Sequence, residues 1–210
     1  MKKKVIIFDF DGTLVDSMDD FADLASAIMP RYFPVDEPRA REMYLESSGR
    51  PFHEQLETLF PQHQSNTSAA TEFETTKKLT YIHRPLFTGA GAALTSLREQ
   101  RLKTVVSSNN SQELVEEYIA QNGMSFDLIL GWRPNFCKGE DHFNAITTTF
   151  GVNRSEMIFV GDSLHDGDRA HAAGIDFIAK LGTFTPEEFR RHLPGTQVIT
   201  NLLELKALVS

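Results

Sequence analysis

The sequence predicts an α/β fold in which a parallel β-sheet lies between layers of helices and a small helical domain is inserted into it. Three observations support this prediction. The first apolar segment, KVIIFD at 4–9, is hydrophobic almost throughout, as expected of a strand buried on both faces of a sheet. Similar short segments recur after Pro85 and alternate with helical patterns. Between 16 and 84 there are helical patterns and no convincing strand.

The inserted block begins directly after the first predicted strand. A helix is expected over about 17–29, because Asp16 and Ser17 are possible N-caps and Pro30 would end it. Further helical stretches are expected near 36–48, 51–60 and 69–83, separated by prolines and by the polar run QHQSNTSAAT. We therefore predict a helical cap domain over residues 16–85.

The remainder of the chain, residues 1–15 and 86–210, is predicted to form the α/β core. Later strands are expected at 104–106, 127–130, 157–160, 176–179 and 197–200. Helices are expected near 90–100, 111–122, 139–150, 167–173 and 201–208. This alternation implies crossover connections between neighbouring strands, and hence a parallel sheet.

Composition limits the classes of function. The chain has 210 residues, of which 40% are hydrophobic and 24% charged, which is typical of a folded globular domain. Its formal net charge of −8 argues against nucleic acid as the main partner, because binding the phosphates of a nucleic-acid backbone needs clustered Lys and Arg. Cys137 is the only cysteine, so no intrachain disulfide can form.

The basic start MKKK followed by apolar residues resembles a signal peptide, but the apolar run stops at Asp9 and is too short. No segment approaches the roughly 18 apolar residues of a membrane span. We therefore expect a cytoplasmic protein without a membrane partner. The sequence leaves open whether it is a monomer or a homodimer.

Polar residues follow three of the predicted strands. DFDGT at 9–13 follows the first, SSNN at 107–110 the second, and GDSLHD at 161–166 a third, while Lys138 precedes a helix. In open α/β sheets, ligands bind beyond the carboxyl ends of the strands. We therefore expect these segments to gather at one edge of the sheet.

The four aspartates of these segments, Asp9, Asp11, Asp162 and Asp166, would together carry about four negative charges. Two such charges about 4 Å apart repel by ~4 kcal/mol at an effective dielectric near 20. The cluster must therefore hold protons, a cation or both. Carboxylate oxygens without His or Cys ligands favour a hard cation, and Mg²⁺ commonly completes its shell with water and substrate phosphate.

DFDGTLVDS at 9–17, the hydrophobics that precede Ser108-Asn109, Lys138, and GDSLHDGDRAHAAG at 161–174 resemble the four signature motifs of the haloacid dehalogenase superfamily. They occur in that family's order and at its usual spacings. The resemblance implies a Rossmann-like three-layer core with a helical cap inserted after the first strand. It also implies a magnesium-dependent phosphatase, closest in type to phosphoglycolate phosphatases, whose partner is a small phosphate ester.

The resemblance further implies a role for each motif residue. Asp9 would be the nucleophile and become an aspartyl phosphate. Asp11 would protonate the leaving oxygen and then activate water. Ser108 and Lys138 would hold the phosphoryl group. Ser107 competes with Ser108 for this role, but the family pattern often has Ser or Thr directly before Asn, which favours Ser108.

The same resemblance provides a set of metal and substrate ligands. Mg²⁺ would be bound by Asp9, Asp162 and the carbonyl oxygen of Asp11, with Asp166 supporting the metal. Substrate contacts are expected from Gly12, Thr13, Asn109 and Arg50. Arg50 lies in a turn of the helical block, where related phosphatases often meet the leaving group. In the third motif, Gly139 follows Lys138 where the family often has proline, which leaves the lysine's charge in place but changes the loop.

Two alternatives to hydrolysis are considered. A sugar-phosphate mutase of the same fold would transfer the phosphoryl group to a sugar. Gly161 stands where such mutases often carry an acidic residue, which favours hydrolysis. A catalytically idle binding or regulatory protein is an alternative of another class. The complete set of Asp9, Asp11, Lys138 and Asp162 argues against it.

Overall fold

Parallel strands form a six-stranded sheet in the computed structural model of the chain, which describes residues 2–209. The strands are β1 (Val5–Phe8), β2 (Lys103–Ser111), β3 (Leu128–Trp132), β4 (Met157–Gly161), β5 (Asp176–Lys180) and β6 (Gln197–Ile199). Their order across the sheet is β3-β2-β1-β4-β5-β6, and each pairing is parallel. The predicted α/β class is thereby confirmed.

The chain divides into two units, one of Met1–Val15 with Leu86–Ser210 and one of Asp16–Pro85. The second unit is helical. It contains α1 (Met18–Ile28), α2 (Glu37–Glu46), α3 (Phe52–Leu59) and α4 (Asn66–Thr80), with short 3₁₀ turns at Met29–Arg31 and Tyr81–His83. Residues 16–85, which are described throughout, contain no β-strand, as the sequence predicts.

Aromatic side chains fill the interior of the helical unit. Phe73 of α4 packs against Phe52 of α3, with ring centroids 4.2 Å apart, and edge-on against Phe21 of α1. Phe33 stacks on Phe60 at 4.1 Å. Because each buried aromatic ring removes a large apolar area from water, these contacts give a unit of modest size a core of its own.

The helices of the sheet-containing unit are α5 (Ala90–Glu99), α6 (Gln112–Gln121), α7 (Glu140–Phe150), α8 (Leu164–Ala172), α9 (Pro186–His192) and α10 (Leu205–Leu208). Strand β1 is completely buried, and its residues Val5 and Ile7 pack into one cluster with Phe143 and Ile146 of α7. Since side chains alternate along a strand, Ile6 and Phe8 face the opposite side of the sheet. With helices on both sides, the core has the three layers that the sequence predicts.

Element boundaries differ from the prediction where the sequence is polar. Strand β2 continues beyond the apolar residues 104–106 and through the SSNN segment to Ser111. Helix α8 begins at Leu164, earlier than the predicted 167, because the Ser163 side chain caps it by accepting a hydrogen bond from the Asp166 N–H. Helix α9 is absent from the prediction.

Two further observations concern the described residues as a whole. Cys137 is free and exposed. No helix within residues 2–209 has both the length and the apolar character needed to cross a membrane.

Candidate active site

The carboxyl ends of β1, β2 and β4 lie side by side at one edge of the sheet. Phe8 at the end of β1 is in register with Val160 of β4 and with Val106 of β2. The next residue, Asp9, donates its backbone N–H to the Val160 carbonyl over 2.8 Å. The sheet order thus places three of the sequence motifs next to one another, as the strand-end rule predicts.

Three carboxylates meet at this edge. Asp9, Asp162 and Asp166 are all buried, and each offers an oxygen within 4.8 Å of the others. Lys138 enters the same cluster, with its Nζ 2.6 Å from Asp9 Oδ1 and 2.6 Å from Asp166 Oδ1. The Lys138 side chain is itself almost fully buried. Four of the predicted residues are therefore in direct or near contact.

The position of Asp166 depends on the turn between β4 and α8. Ser163 Oγ accepts a hydrogen bond from the Asp166 N–H and donates one to Asp166 Oδ2 at 2.8 Å. Gly161, the last residue of β4, lies directly beneath this carboxylate. A Cβ at that position would come within 2.7 Å of Asp166 Oδ2, so any side chain there would displace the carboxylate.

The turn after Asp9 brings the hydroxyl of Thr13 toward the Asp9 carboxylate. Gly12 has a φ of 73°, and its N–H donates to the Val15 carbonyl at 2.9 Å. Glycine adopts this left-handed conformation without steric cost. Thr13, which is fully buried, consequently places its Oγ1 3.5 Å from Asp9 Oδ2.

Burial and the excess negative charge shift the pKa values of the cluster. Burial, opposed by Lys138 and reinforced by Asp166 and Asp162, raises the pKa of Asp9 well above its usual range. Burial and the charge of Asp166 raise the pKa of Asp162 to about 6. Burial alone would lower the pKa of Lys138, but the charges of Asp166 and Asp9 outweigh it and raise the pKa. Lys138 therefore remains charged.

This charge imbalance and the donor set fit a divalent cation. Three carboxylates face one ammonium group, so the pocket takes up protons unless another cation is bound. The cluster offers oxygen ligands only, which suits a hard cation better than a soft one. Asp9, Asp162 and Asp166 are the side chains that would hold it.

The carboxylate of Asp11 has a partner of its own in strand β2. Its Oδ2 accepts a hydrogen bond of 2.8 Å from Asn110 Nδ2 rather than joining the cluster of three aspartates. Asn110 also donates its backbone N–H to Ser108 Oγ at 3.0 Å. A hydroxyl oxygen that accepts one hydrogen bond can still donate its own proton.

The neighbouring Ser107 has a different partner. Its Oγ lies 2.9 Å from Nδ1 of His142, a residue of α7 that is completely buried. The ring of His142 packs beside Phe136. Burial, together with the charge of Lys138, lowers the pKa of His142 to about 4, so the imidazole is neutral near pH 7. Ser107 is thus hydrogen-bonded to a buried side chain, whereas Ser108 Oγ accepts the backbone N–H of Asn110.

Several contacts of the site are not predicted by the sequence analysis. Thr183, in the loop after β5, donates its hydroxyl to Asp162 Oδ2. Asn110 and His142 are the others. Asn110 belongs to the SSNN segment that the strand-end rule brings to this edge, although the rule gives it no partner. Thr183 follows β5, so the same rule could have included it.

The other substrate ligands that the sequence predicts are Asn109 and Arg50. Asn109 is half-buried beside Ser108. Arg50 belongs to the helical unit, where its Nη1 lies 3.3 Å from Thr58 Oγ1 and its carbonyl accepts a hydrogen bond from Gln55.

Comparison with known proteins identifies the family of this chain. Residues 6–180 match the haloacid dehalogenase-like hydrolase family. The chain belongs to this family. The matched region runs from β1 to the end of β5 and contains each of the three clustered aspartates and Lys138.

Individual relatives of this haloacid dehalogenase-like hydrolase include phosphatases. It is 27% identical to a phosphoglycolate phosphatase from Synechococcus elongatus, over 88% of this chain and 87% of the relative. It is 23% identical to an N-acetylmuramic acid 6-phosphate phosphatase from Pseudomonas putida, over 100% and 97%. A haloacid dehalogenase-like family protein from Streptococcus pneumoniae shares the fold with a TM-score of 0.80 at 20% identity, over 99% of both chains.

The buried His142 predicts a pH-dependent loss of stability. Between its usual pKa near 6.5 and the folded-state value of about 4, the unfolded chain binds a proton that the folded chain excludes, so stability falls as the pH falls through this range. The free energy of unfolding can be measured with urea at about pH 7 and about pH 5. Between these two pH values it should fall by about 2 kcal/mol more for wild type than for His142→Gln. Equal losses in the two proteins would show that folding does not lower the pKa of His142.

Proposed function

We propose that this hydrolase is a Mg²⁺-dependent phosphatase that cleaves a small phosphate monoester through an aspartyl phosphate on Asp9. The observation that supports this most strongly is the buried contact of Asp9 with Lys138, which has two further carboxylates within 4.8 Å. A carboxylate in this position has one cation beside it and two neighbouring carboxylates that could bind a second one with it. Such an arrangement suits attack on a dianionic phosphate, which a carboxylate alone would repel.

Mg²⁺ is the cation we propose for the oxygen ligands of Asp9 and Asp162, with the carbonyl of Asp11 as a third ligand and Asp166 in support. Bound there, the ion would offset the charge of the carboxylates and of the substrate phosphate. The pKa of about 6 for Asp162 favours this proposal, because near-neutral pH is then enough to free its carboxylate for a metal.

In the first step, an Asp9 oxygen attacks phosphorus and the bond from phosphorus to the ester oxygen breaks. Asp11 donates its proton to the leaving oxygen, which departs as an alcohol. Lys138 and the hydroxyl of Ser108 hold the phosphoryl oxygens, and Gly12, Thr13 and Asn109 line the same region. Ser108 is favoured over Ser107 because Ser107 is already hydrogen-bonded to His142.

In the second step, water attacks the phosphorus of the aspartyl phosphate. Asp11, now a carboxylate, accepts a proton from that water, and the bond from Asp9 to phosphorus breaks. Inorganic phosphate leaves, Asp9 is restored as a carboxylate and Asp11 is again protonated. One residue therefore acts as acid and then as base.

The substrate class is inferred from the relatives. Phosphoglycolate and N-acetylmuramic acid 6-phosphate both carry a carboxylate in addition to the phosphate. We propose that the substrate is a small phosphate ester whose leaving group carries a carboxylate. We also propose that the enzyme acts in the cytoplasm. The helical unit of residues 16–85 would act as a cap that selects this leaving group, with Arg50 as its anion-binding side chain.

Hydrolysis is favoured over mutase activity by Gly161. A Cβ at this position would meet the Asp166 carboxylate at 2.7 Å, so this chain has no room there for the acidic residue found in many related mutases. Product analysis with a hexose phosphate separates the two reactions, because a phosphatase releases inorganic phosphate and a mutase yields an isomeric sugar phosphate. Absence of both products across a broad substrate panel would support the idle binding protein.

The metal requirement is the first prediction from this proposal. Chelation should abolish hydrolysis of p-nitrophenyl phosphate, since the clustered carboxylates would then repel the substrate, and added Mg²⁺ should restore it. Isothermal titration calorimetry should show weaker Mg²⁺ binding to Asp162→Asn than to wild type. Full turnover in the presence of excess chelator would contradict the proposal.

The two aspartates of the first motif should have separable roles. Asp9→Asn should abolish turnover because the attacking carboxylate is lost. Asp11→Asn should slow hydrolysis of an alkyl phosphate by roughly 10²–10⁴-fold, because no group protonates the poor leaving group. Asp176→Asn is the matched control, since Asp176 begins β5 at the opposite edge of the sheet and pairs with Lys3. Steady-state kinetics would contradict these roles if Asp9→Asn retained wild-type activity.

The cap proposal predicts a substrate-dependent effect of Arg50. Replacing it with alanine should lower kcat/KM for a carboxylate-bearing phosphate ester by roughly tenfold to a hundredfold, the equivalent of about 1.5–3 kcal/mol for a hydrogen bond to a charged group. Activity toward p-nitrophenyl phosphate should change little, because its leaving group has no carboxylate. Arg39→Ala, another arginine of the helical unit, which pairs with Glu42, is the control. Equal losses on both substrates would place Arg50 outside leaving-group recognition.

A further inference from the structure

The contact between Asn110 and Asp11 joins two residues that are 99 positions apart in the chain. Asn110 is only 4% exposed, and its amide Nδ2 donates to Asp11 Oδ2 over 2.8 Å. An asparagine amide is uncharged at every accessible pH and offers N–H groups that are permanent donors. The contact therefore persists whether Asp11 is a carboxylate or a carboxylic acid whose carbonyl oxygen is Oδ2.

The backbone around Asn110 is held in place by the neighbouring strand. The pairing of β2 with β3 changes register between Ser107 and Ser111, so the segment that contains Asn110 departs from the regular ladder. Gln112, the next residue after the strand, secures this segment. Its Oε1 accepts the Gly131 N–H at 2.7 Å, and its Nε2 donates to the Ile129 carbonyl at 3.0 Å.

Gly131 of β3 permits this close approach. A Cβ there would lie 2.5 Å from the Cα of Gln112 and 2.9 Å from the carbonyl oxygen of Asn110, distances that backbone atoms cannot accommodate without moving. The two strands can therefore bring Asn110 to its position only because residue 131 has no side chain. The backbone at the irregular end of β2 is therefore tightly packed against β3 near Asn110.

The chemical consequence concerns which oxygen of Asp11 carries the proton. With Oδ2 accepting the amide N–H, protonation of that oxygen would weaken the hydrogen bond, because a hydroxyl oxygen of a carboxylic acid is a poorer acceptor than its carbonyl oxygen. The contact therefore favours the proton on Oδ1 and restricts rotation of the carboxyl group. Resting on the proposed function, we propose that Asn110 is a positioning residue that presents Oδ1 of Asp11 both to the leaving group and to the attacking water.

This role differs from substrate binding in its kinetic signature. Formation of the aspartyl phosphate from p-nitrophenyl phosphate needs no proton donor, because p-nitrophenolate is a good leaving group. Hydrolysis of the intermediate still needs Asp11 as a base. A variant without the Asn110 amide should therefore form the intermediate at an ordinary rate and hydrolyse it slowly.

Rapid-mixing kinetics of Asn110→Ala, and of Asn110→Leu to preserve side-chain volume, test this inference. We expect a burst of about one p-nitrophenolate per enzyme, followed by a steady-state kcat roughly tenfold to a hundredfold below wild type, with a KM that does not rise. Asn144→Leu is the control, because the Asn144 side chain is exposed and bonds only to Arg154 among the contacts described. Inhibition by inorganic phosphate should be unchanged, since the backbone contact of residue 110 with Ser108 is retained.

The Asp11→Asn background distinguishes the possible outcomes. If Asn110 acts through Asp11, the double variant should be no slower than Asp11→Asn alone. A further loss of similar size in the double variant, or a raised KM with an unchanged kcat, would overturn this inference while leaving the proposed function intact. Wild-type turnover by Asp9→Asn would overturn the proposed function, and this inference with it.

Discussion

Like charges buried at one edge of the sheet constrain the rest of the site. Asp9, Asp162 and Asp166 bring carboxylate oxygens within 4.8 Å of one another, and at about 4 Å each pair repels by ~4 kcal/mol even at an effective dielectric near 20. Lys138 offsets part of this repulsion through two contacts of 2.6 Å. The residual negative charge suits a divalent cation, which in our proposal also binds the substrate phosphate. The repulsion among the carboxylates is therefore the physical basis of the proposed metal site.

The fold provides the rigidity that such a cluster needs. Strand β1 is completely buried between β2 and β4, and Asp9 is tied to β4 by its own backbone N–H. Gly161 leaves space for the Asp166 carboxylate, and Ser163 orients it with two hydrogen bonds. Because these partners are backbone groups or short side chains with few rotamers, the carboxylates cannot move apart to relieve their repulsion.

The sequence predicted the elements that have a local signal. Apolar runs locate the strands, and the strand-end rule selects the clustered aspartates and Lys138 from the sequence alone. It did not predict Asn110 as the partner of Asp11, because that contact depends on an irregular strand end and on a glycine in the neighbouring strand. His142 also carried no signal, since burial of a polar residue on a helix is decided by tertiary packing. Helix α9 was missed although Thr185 and Glu188 form a capping box at its start.

The central claim is that Asp9 becomes covalently phosphorylated. Mass spectrometry of enzyme quenched in acid during turnover, in the Asp11→Asn background to slow hydrolysis of the intermediate, tests it most directly. The account predicts one added phosphoryl group per chain, located on the peptide that contains Asp9 and absent from the Asp9→Asn, Asp11→Asn double variant. A phosphoryl group on Asp162 or on any other residue would contradict the account, as would its persistence in the double variant.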